Sequence, residues 1–415
     1  MDCWARRTAA LRRQSRSATI RTRRSKPHFA PRANSVISLF MSGGVSHLDT
    51  FDPKPALAQY AGQPLSTARA RSWCGQGNPG SAHAQPVSVP QARPVRDGRL
   101  GDLPDTSRSM WTRWRSCDRC YGKSNDHVQA TYELNTGKIQ MGLPSVGSWV
   151  TYGLGSENQS LPAFVVIYDH RGGPLGGPAN WSAGYMPAAY QATDLPLERR
   201  PDHRSEAAGR GEPEQQRDRL DLLAKLNELD LKNYPGSSEL AARISSYELA
   251  YRMQGCAPEA VDVNSESEAT RKLYGMDDKT TEPFARQCLD GAAAGGARSP
   301  VRAALSWRTR PAESGHVGCA RRREGKSYAA RRRSGPPDFR TADRFEGARF
   351  AGSTRWWCWH GEFGRMPISQ KGVGRDHNPG TMTMWMAGAR IKGGQIIGAS
   401  DELRLQGGAA ADRGA

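Results

Sequence analysis

Apolar runs and the breaks between them divide this chain into stretches with a secondary-structure period and stretches with none. Val36 to Phe40 is a short apolar run rich in β-branched and aromatic types, which reads as a buried strand. Ala163 to Tyr168 is apolar throughout, as expected of a strand covered on both faces in a parallel sheet. Thr381 to Ala387 reads as a further strand. Between them the period is helical. Val128, Tyr132 and Leu134 form the apolar side of a short helix capped near Asn125 and ended by Gly137. Ser145 caps a helix through Val150 that stops near Gly153 or Gly155. From Glu214 a longer helix carries Leu222, Leu226 and Leu229 on one stripe and stops at Pro235-Gly236. Ser238 caps the next, with Leu240, Ile244, Tyr247 and Tyr251 on one side. A capping box from Ser265 to Glu268 opens a third, ended by Gly275, and Glu282 to Leu289 starts a fourth. These four helices read as core-packing elements without chemistry. Strands alternating with helices make this an α/β chain.

Three segments carry no such period, and they change the reading of charge. The formal charge of +18 would ordinarily suggest a nucleic-acid partner. Residues 1–34, 66–119 and 290–360 account for +9, +5 and +9 of it, leaving the remainder of the chain at −5. These segments hold 32 Arg against 2 Lys, together with eight of the eleven Trp. Arg, Ala, Gly, Pro, Trp and Cys in excess and without pattern are what a G+C-rich gene yields when read out of frame. The segments therefore read as frameshifted translation, the basic charge as an artefact, and nucleic acid is not expected as a partner. The domain plan is an unpatterned basic N-terminus (1–34) and one α/β domain (35–402), followed by an unpatterned tail (403–415). The domain is interrupted by anomalous segments 66–119 and 290–358. No window is apolar enough for a membrane span. Arg6-Arg7, Arg12-Arg13 and Arg23-Arg24 are followed by no apolar region that would make an export signal.

Polar groups cluster where strands end. After Val36–Phe40 come Gly43-Gly44 and then Ser46, His47, Asp49, Thr50 and Asp52. Asp49 and Asp52 can hold a divalent metal, and Ser46, His47 and Thr50 can supply a nucleophile or proton transfer. The same residues also suit a plain Asx/Ser turn closing on Asp52-Pro53. A second cluster places Glu362, Arg365, Arg375, Asp376 and His377 within sixteen residues. Adjacent Asp and His suit zinc or manganese, and an arginine nearby suits an anionic substrate. Lys123 to His127 is a third polar group that either joins the pocket or begins a solvated helix. Cys117-x-x-Cys120 has zinc-like spacing without a second pair at a suitable distance. Cys256 and Cys288 read as single buried thiols.

Four stretches carry a family resemblance: F-M-S-G-G-V-S-H-L-D-T-F-D-P-K-P, Y-G-K-S-N-D-H-V-Q-A-T-Y-E-L-N-T-G, P-S-V-G-S-W-V-T-Y-G-L-G-S-E-N-Q-S-L-P-A-F-V-V and G-E-F-G-R-M-P-I-S-Q-K-G-V-G-R-D-H-N-P. In sequence and order they resemble the bacterial family called domain of unknown function 1501, within the alkaline phosphatase and sulfatase superfamily. The resemblance implies a three-layer α/β sandwich with a mostly parallel sheet and a metal site at the strand ends. It implies Asp49, Glu362, Asp376 and His377 as ligands of zinc, calcium or manganese, with Arg365 and His127 as catalytic residues acting on an anionic sulfate or phosphate ester. It also implies export to the periplasm. The family's Trp-Asp-x-His motif and later histidine are missing here, so impaired hydrolysis is expected. The alternative is a non-catalytic binding or surface protein that keeps the fold.

Overall fold

The structure, a computed structural model, describes mainly residues 26–49, 51–52, 114–156, 162–168, 175–194, 213–234, 266–277, 302–307, 354–368 and 375–400, with parts of 239–249 and 282–289. The protein is mixed α/β, built on one eight-stranded sheet. Its strands are β1 (Ser35–Met41), β2 (Trp114–Cys120), β3 (Phe164–Tyr168), β4 (Thr193–Asp194), β5 (Arg302–Trp307), β6 (Arg355–Gly361), β9 (Met382–Gly388) and β10 (Gln395–Ile397). They run in the order β10-β2-β9-β6-β1-β5-β3-β4. The sheet is mixed, because β9 is antiparallel to both β2 and β6 while the other pairings are parallel. A separate two-stranded ribbon joins β7 (Gly364–Arg365) to β8 (His377–Asn378).

The apolar run at Val36–Phe40 becomes β1, central in the sheet, with Ile37 and Leu39 fully buried between β5 and β6. Ala163–Tyr168 becomes β3, whose Phe164 and Val166 pack with Trp181 and Ala192. Thr381–Ala387 becomes β9. The two short helices also form. Helix α1 (His127–Thr136) is capped by Asp126, one residue after the expected Asn125, and ends on Gly137 in the left-handed region (φ 81°). Helix α2 (Val146–Leu154) is capped by Ser145, whose side chain accepts from Ser148 N.

Three findings correct the sequence reading. First, Trp114–Cys120, Arg302–Trp307 and Arg355–Gly361 are strands of the main sheet, although they fall in or overlap the segments that carry no secondary-structure period. Tryptophans explain the first and third of these strands. Trp114, Trp385 and Trp359 sit on three neighbouring strands and stack across them, with centroids 5.1 Å apart (Trp114–Trp385) and 6.2 Å apart (Trp359–Trp385). Phe51 closes edge-on over Trp359 at 4.9 Å. Each such pair adds about 0.5–1.5 kcal/mol beyond the area it buries. Residues 1–25, 66–113 and 403–415 lie outside the described residues.

Second, the leucine stripe of α3 (Pro213–Asn233) does not pack into a core. Leu222, Leu226 and Leu229 are 59%, 52% and 56% exposed. A leucine stripe at helical spacing specifies an amphipathic helix, but not the presence of a partner for it. Third, α4 (Glu268–Tyr274) is capped by Ser267 rather than Ser265, because the Ser267 side chain accepts from Thr270 N.

Candidate functional site

The site forms where β1 and β6 both end. Beyond Met41 the chain turns through Gly43 (φ 107°) and Gly44 (φ 67°), in the left-handed region where glycine is favoured. A Cβ on Gly44 would also lie 2.6 Å from the Phe363 ring. Beyond Gly361, Glu362 points inward and is 2% exposed. Its Oε1 accepts from Gly43 N at 2.7 Å and meets His127 Nδ1 at 2.6 Å. Its Oε2 is buried with no hydrogen-bond partner among the described residues. His127 is the first residue of α1, so the Asp126 cap that starts the helix also fixes where this imidazole stands.

His377, on β8, completes the cluster. Its ring centroid is 4.4 Å from that of His127, and Phe363 lies 4.7 Å from both. His377 Nδ1 lies 2.7 Å from the carbonyl of Asn125. A carbonyl only accepts, so Nδ1 carries the proton and Nε2 keeps a lone pair. Burial, the Arg365 guanidinium and His127 together lower the His377 pKa to about 4, against the Asn125 bond and Glu362. At neutral pH His377 is therefore an uncharged imidazole with Nε2 available as base or ligand. The carboxylate of Glu362 holds His127 the same way, with Nδ1 as the donor side.

Arg365 is 2% exposed, and its side chain reaches backward rather than into open space. Nη2 donates to Gly43 O at 2.6 Å, Nε to Gly44 O at 2.9 Å and Nη1 to Arg375 O at 3.1 Å. It ties the glycine turn of β1 to the segment after β7. His47, in a single 3-10 turn (His47–Asp49), accepts from Arg365 N through Nδ1 at 3.4 Å.

The structure thus brings together His127, Glu362, His377 and Arg365, drawn from two stretches far apart in sequence. Asp376 lies beside His377 and pairs its backbone with Met366 and Ile368. Asp49 ends the turn that begins at His47, and its side chain lies outside the described residues. Among the described residues, no three His, Cys, Asp or Glu side chains come together in a group able to hold a metal ion. What is present fits a metal in part. Imidazole ligands characteristically donate their second ring nitrogen to a carboxylate or carbonyl, as His127 and His377 do. Sequence reasoning missed the Glu362–His127 bond and the role of the Asn125 carbonyl. Spacing gives no sign of either, since 235 residues separate the bonded pair.

The family model described as "Protein of unknown function (DUF1501)" matches residues 33–299 and 357–412. No curated protein and no solved structure matches the chain.

Proposed function

The chain belongs to the family described as "Protein of unknown function (DUF1501)", and from that premise we propose that it is a hydrolase of sulfate or phosphate esters that uses a divalent metal. In this reading the fold is the three-layer, mostly parallel sandwich of alkaline phosphatases. The centre is His127, Glu362 and His377, with Asp49 and Asp376 as further ligands. One observation carries the reading: two imidazoles side by side, each anchored through Nδ1, next to a buried carboxylate whose second oxygen has no partner among the described residues. A bound zinc or manganese would supply Lewis-acid polarisation of the ester oxygen and a nucleophilic water.

The chain's own groups have separable tasks. Neutral His377 presents Nε2 as base or ligand, and Glu362 orients His127 while balancing positive charge. Arg365 holds the Gly43-Gly44 turn in register, which makes it a positioning residue rather than the anion clamp its residue type suggests. The test is hydrolysis of aryl sulfate and aryl phosphate with added zinc, manganese or calcium, comparing wild type with His377→Ala. Turnover that needs metal and is lost in the variant supports the reading. Equal rates in the two overturn it.

One observation favours a second reading, a binding protein that retains the fold without turnover. The described residues assemble two imidazoles and a carboxylate but no complete metal group. Metal or anion binding by wild type without hydrolysis under any metal would select it. We also propose that the segment between the two matched stretches, residues 300–356, includes out-of-frame translation. Its omission from the family match and its Arg-rich composition support this. Translation of the gene in the other frames should give patterned strands and helices there, and frames dense with stops would refute it.

A further inference from the structure

Cys117 and Cys120 are three residues apart on β2. In a regular strand, side chains alternate between faces, so residues three apart point to opposite sides. Here the pairing with β9 slips between them. Cys117 faces Met384 and Cys120 faces Met382, so three steps on β2 match two on β9. The extra residue is a β-bulge, and it resets the alternation. Both sulfurs therefore come to the same side, with Cys120 Sγ 3.2 Å from Cys117 Sγ and 3.8 Å from Cys117 O. Both thiols are free and only partly buried.

The two thiols are unequal. Donation from the Cys120 thiol lowers the Cys117 pKa to about 6, helped by the Arg119 backbone and opposed by burial and Asp118. The same bond and burial push Cys120 upward. One thiolate backed by a proton-bearing neighbour is the division of labour of an attacking and a resolving thiol. Cys358, on β6 beyond β9, is pushed up to about 12 by burial.

We propose that Cys117 and Cys120 form a thiol–disulfide exchange site that takes low-molecular-weight or exposed protein disulfides as its oxidising substrate. The Cys117 thiolate attacks one sulfur of the substrate disulfide. A Cys117–substrate bond forms, the substrate S–S bond breaks, and a thiolate leaves. Cys120 loses its proton to solvent and attacks Cys117 Sγ, forming the Cys117–Cys120 bond and releasing the second substrate thiol. The protein dithiol gives up two electrons, and the substrate disulfide is reduced to two thiols. This site is separate from the His127–Glu362–His377 cluster and does not depend on its hydrolytic reading.

The sequence supplies a direct readout. Trypsin cleaves after Arg115, Arg119 and Lys123, placing the two cysteines on different peptides, Ser116–Arg119 and Cys120–Lys123. Full-length reduced protein is equilibrated with oxidised glutathione at neutral pH, alkylated, digested and mapped by mass spectrometry. The expected product is the two peptides joined by a disulfide. Cys120→Ser should instead accumulate a glutathione mixed disulfide on Cys117, and Cys117→Ser should slow reaction at this locus by about tenfold or more. Recovery of both peptides singly alkylated from wild type, or a bond from either cysteine to Cys358, would overturn the proposal. Wild-type mapping decides the matter alone if a variant fails to fold.

Discussion

Replacing Arg365 with lysine separates a positioning role from an anion-binding role, because it keeps the charge and removes the fork. The guanidinium bonds three carbonyls at once, Gly43 O, Gly44 O and Arg375 O, from a position 2% exposed. A single ammonium nitrogen cannot span all three, so two charge-assisted bonds are lost. At about 1.5–3 kcal/mol for each bond to a charged donor, the loss is roughly 3–6 kcal/mol. That is a large part of the ~5–15 kcal/mol of net stability usual for a folded domain. The assay is urea unfolding followed by tryptophan fluorescence, with sulfate and phosphate binding measured on the same preparations. Arg365→Lys should lower the midpoint strongly. Unchanged stability, within about 0.5 kcal/mol, together with weakened anion binding would refute the reasoning and return Arg365 to the substrate.

Acid should destabilise the fold in a defined window. The pKa of buried His360 is lowered from 6.5 to about 4 by burial, against Glu362, so between those values the unfolded chain takes up a proton that the folded chain refuses. Stability should hold above pH 6.5 and fall by about 3 kcal/mol as pH drops toward 4, with His377 acting in the same direction; urea midpoints across that range check it. Trp385→Ala removes the middle of the tryptophan stack and should cost about 3–5 kcal/mol with loss of near-ultraviolet dichroism, whereas a loss below about 1 kcal/mol would mean the stack is not core. Leu226→Glu on the exposed face of α3 should leave stability within about 0.5 kcal/mol, and a multi-kcal loss in thermal or urea unfolding would show that the stripe is covered.

How legible each element was depended on what its residues had to do. β1 and β3 were readable because a strand covered on both faces is mostly apolar, and α1 and α2 because Gly137, Ser145 and Gly155 mark helix ends. β2 and β6 were not. In Trp114–Cys120 the buried positions include Ser116 and Asp118, a pair that is satisfied internally and by Thr383, so the inward face does not look apolar. In Arg355–Gly361 the alternation Trp357, Trp359, Gly361 was present, but arginine-rich flanks and Trp356 beside it masked it. At the site, residue types named His127, Glu362, Arg365 and His377 but not their partners. Arg365 suggested an anion by its residue type, and nothing in the sequence signals that three of its bonds go to the carbonyls of Gly43, Gly44 and Arg375.

The central claim is that His127 and His377 present adjacent ligand nitrogens. X-ray absorption of the protein loaded with one equivalent of zinc tests it most directly. Two imidazole nitrogens at about 2.0 Å, with oxygen completing the shell and both nitrogens lost in His127→Ala/His377→Ala, is the predicted result. A shell of sulfur at about 2.3 Å, or of oxygen alone, would contradict it.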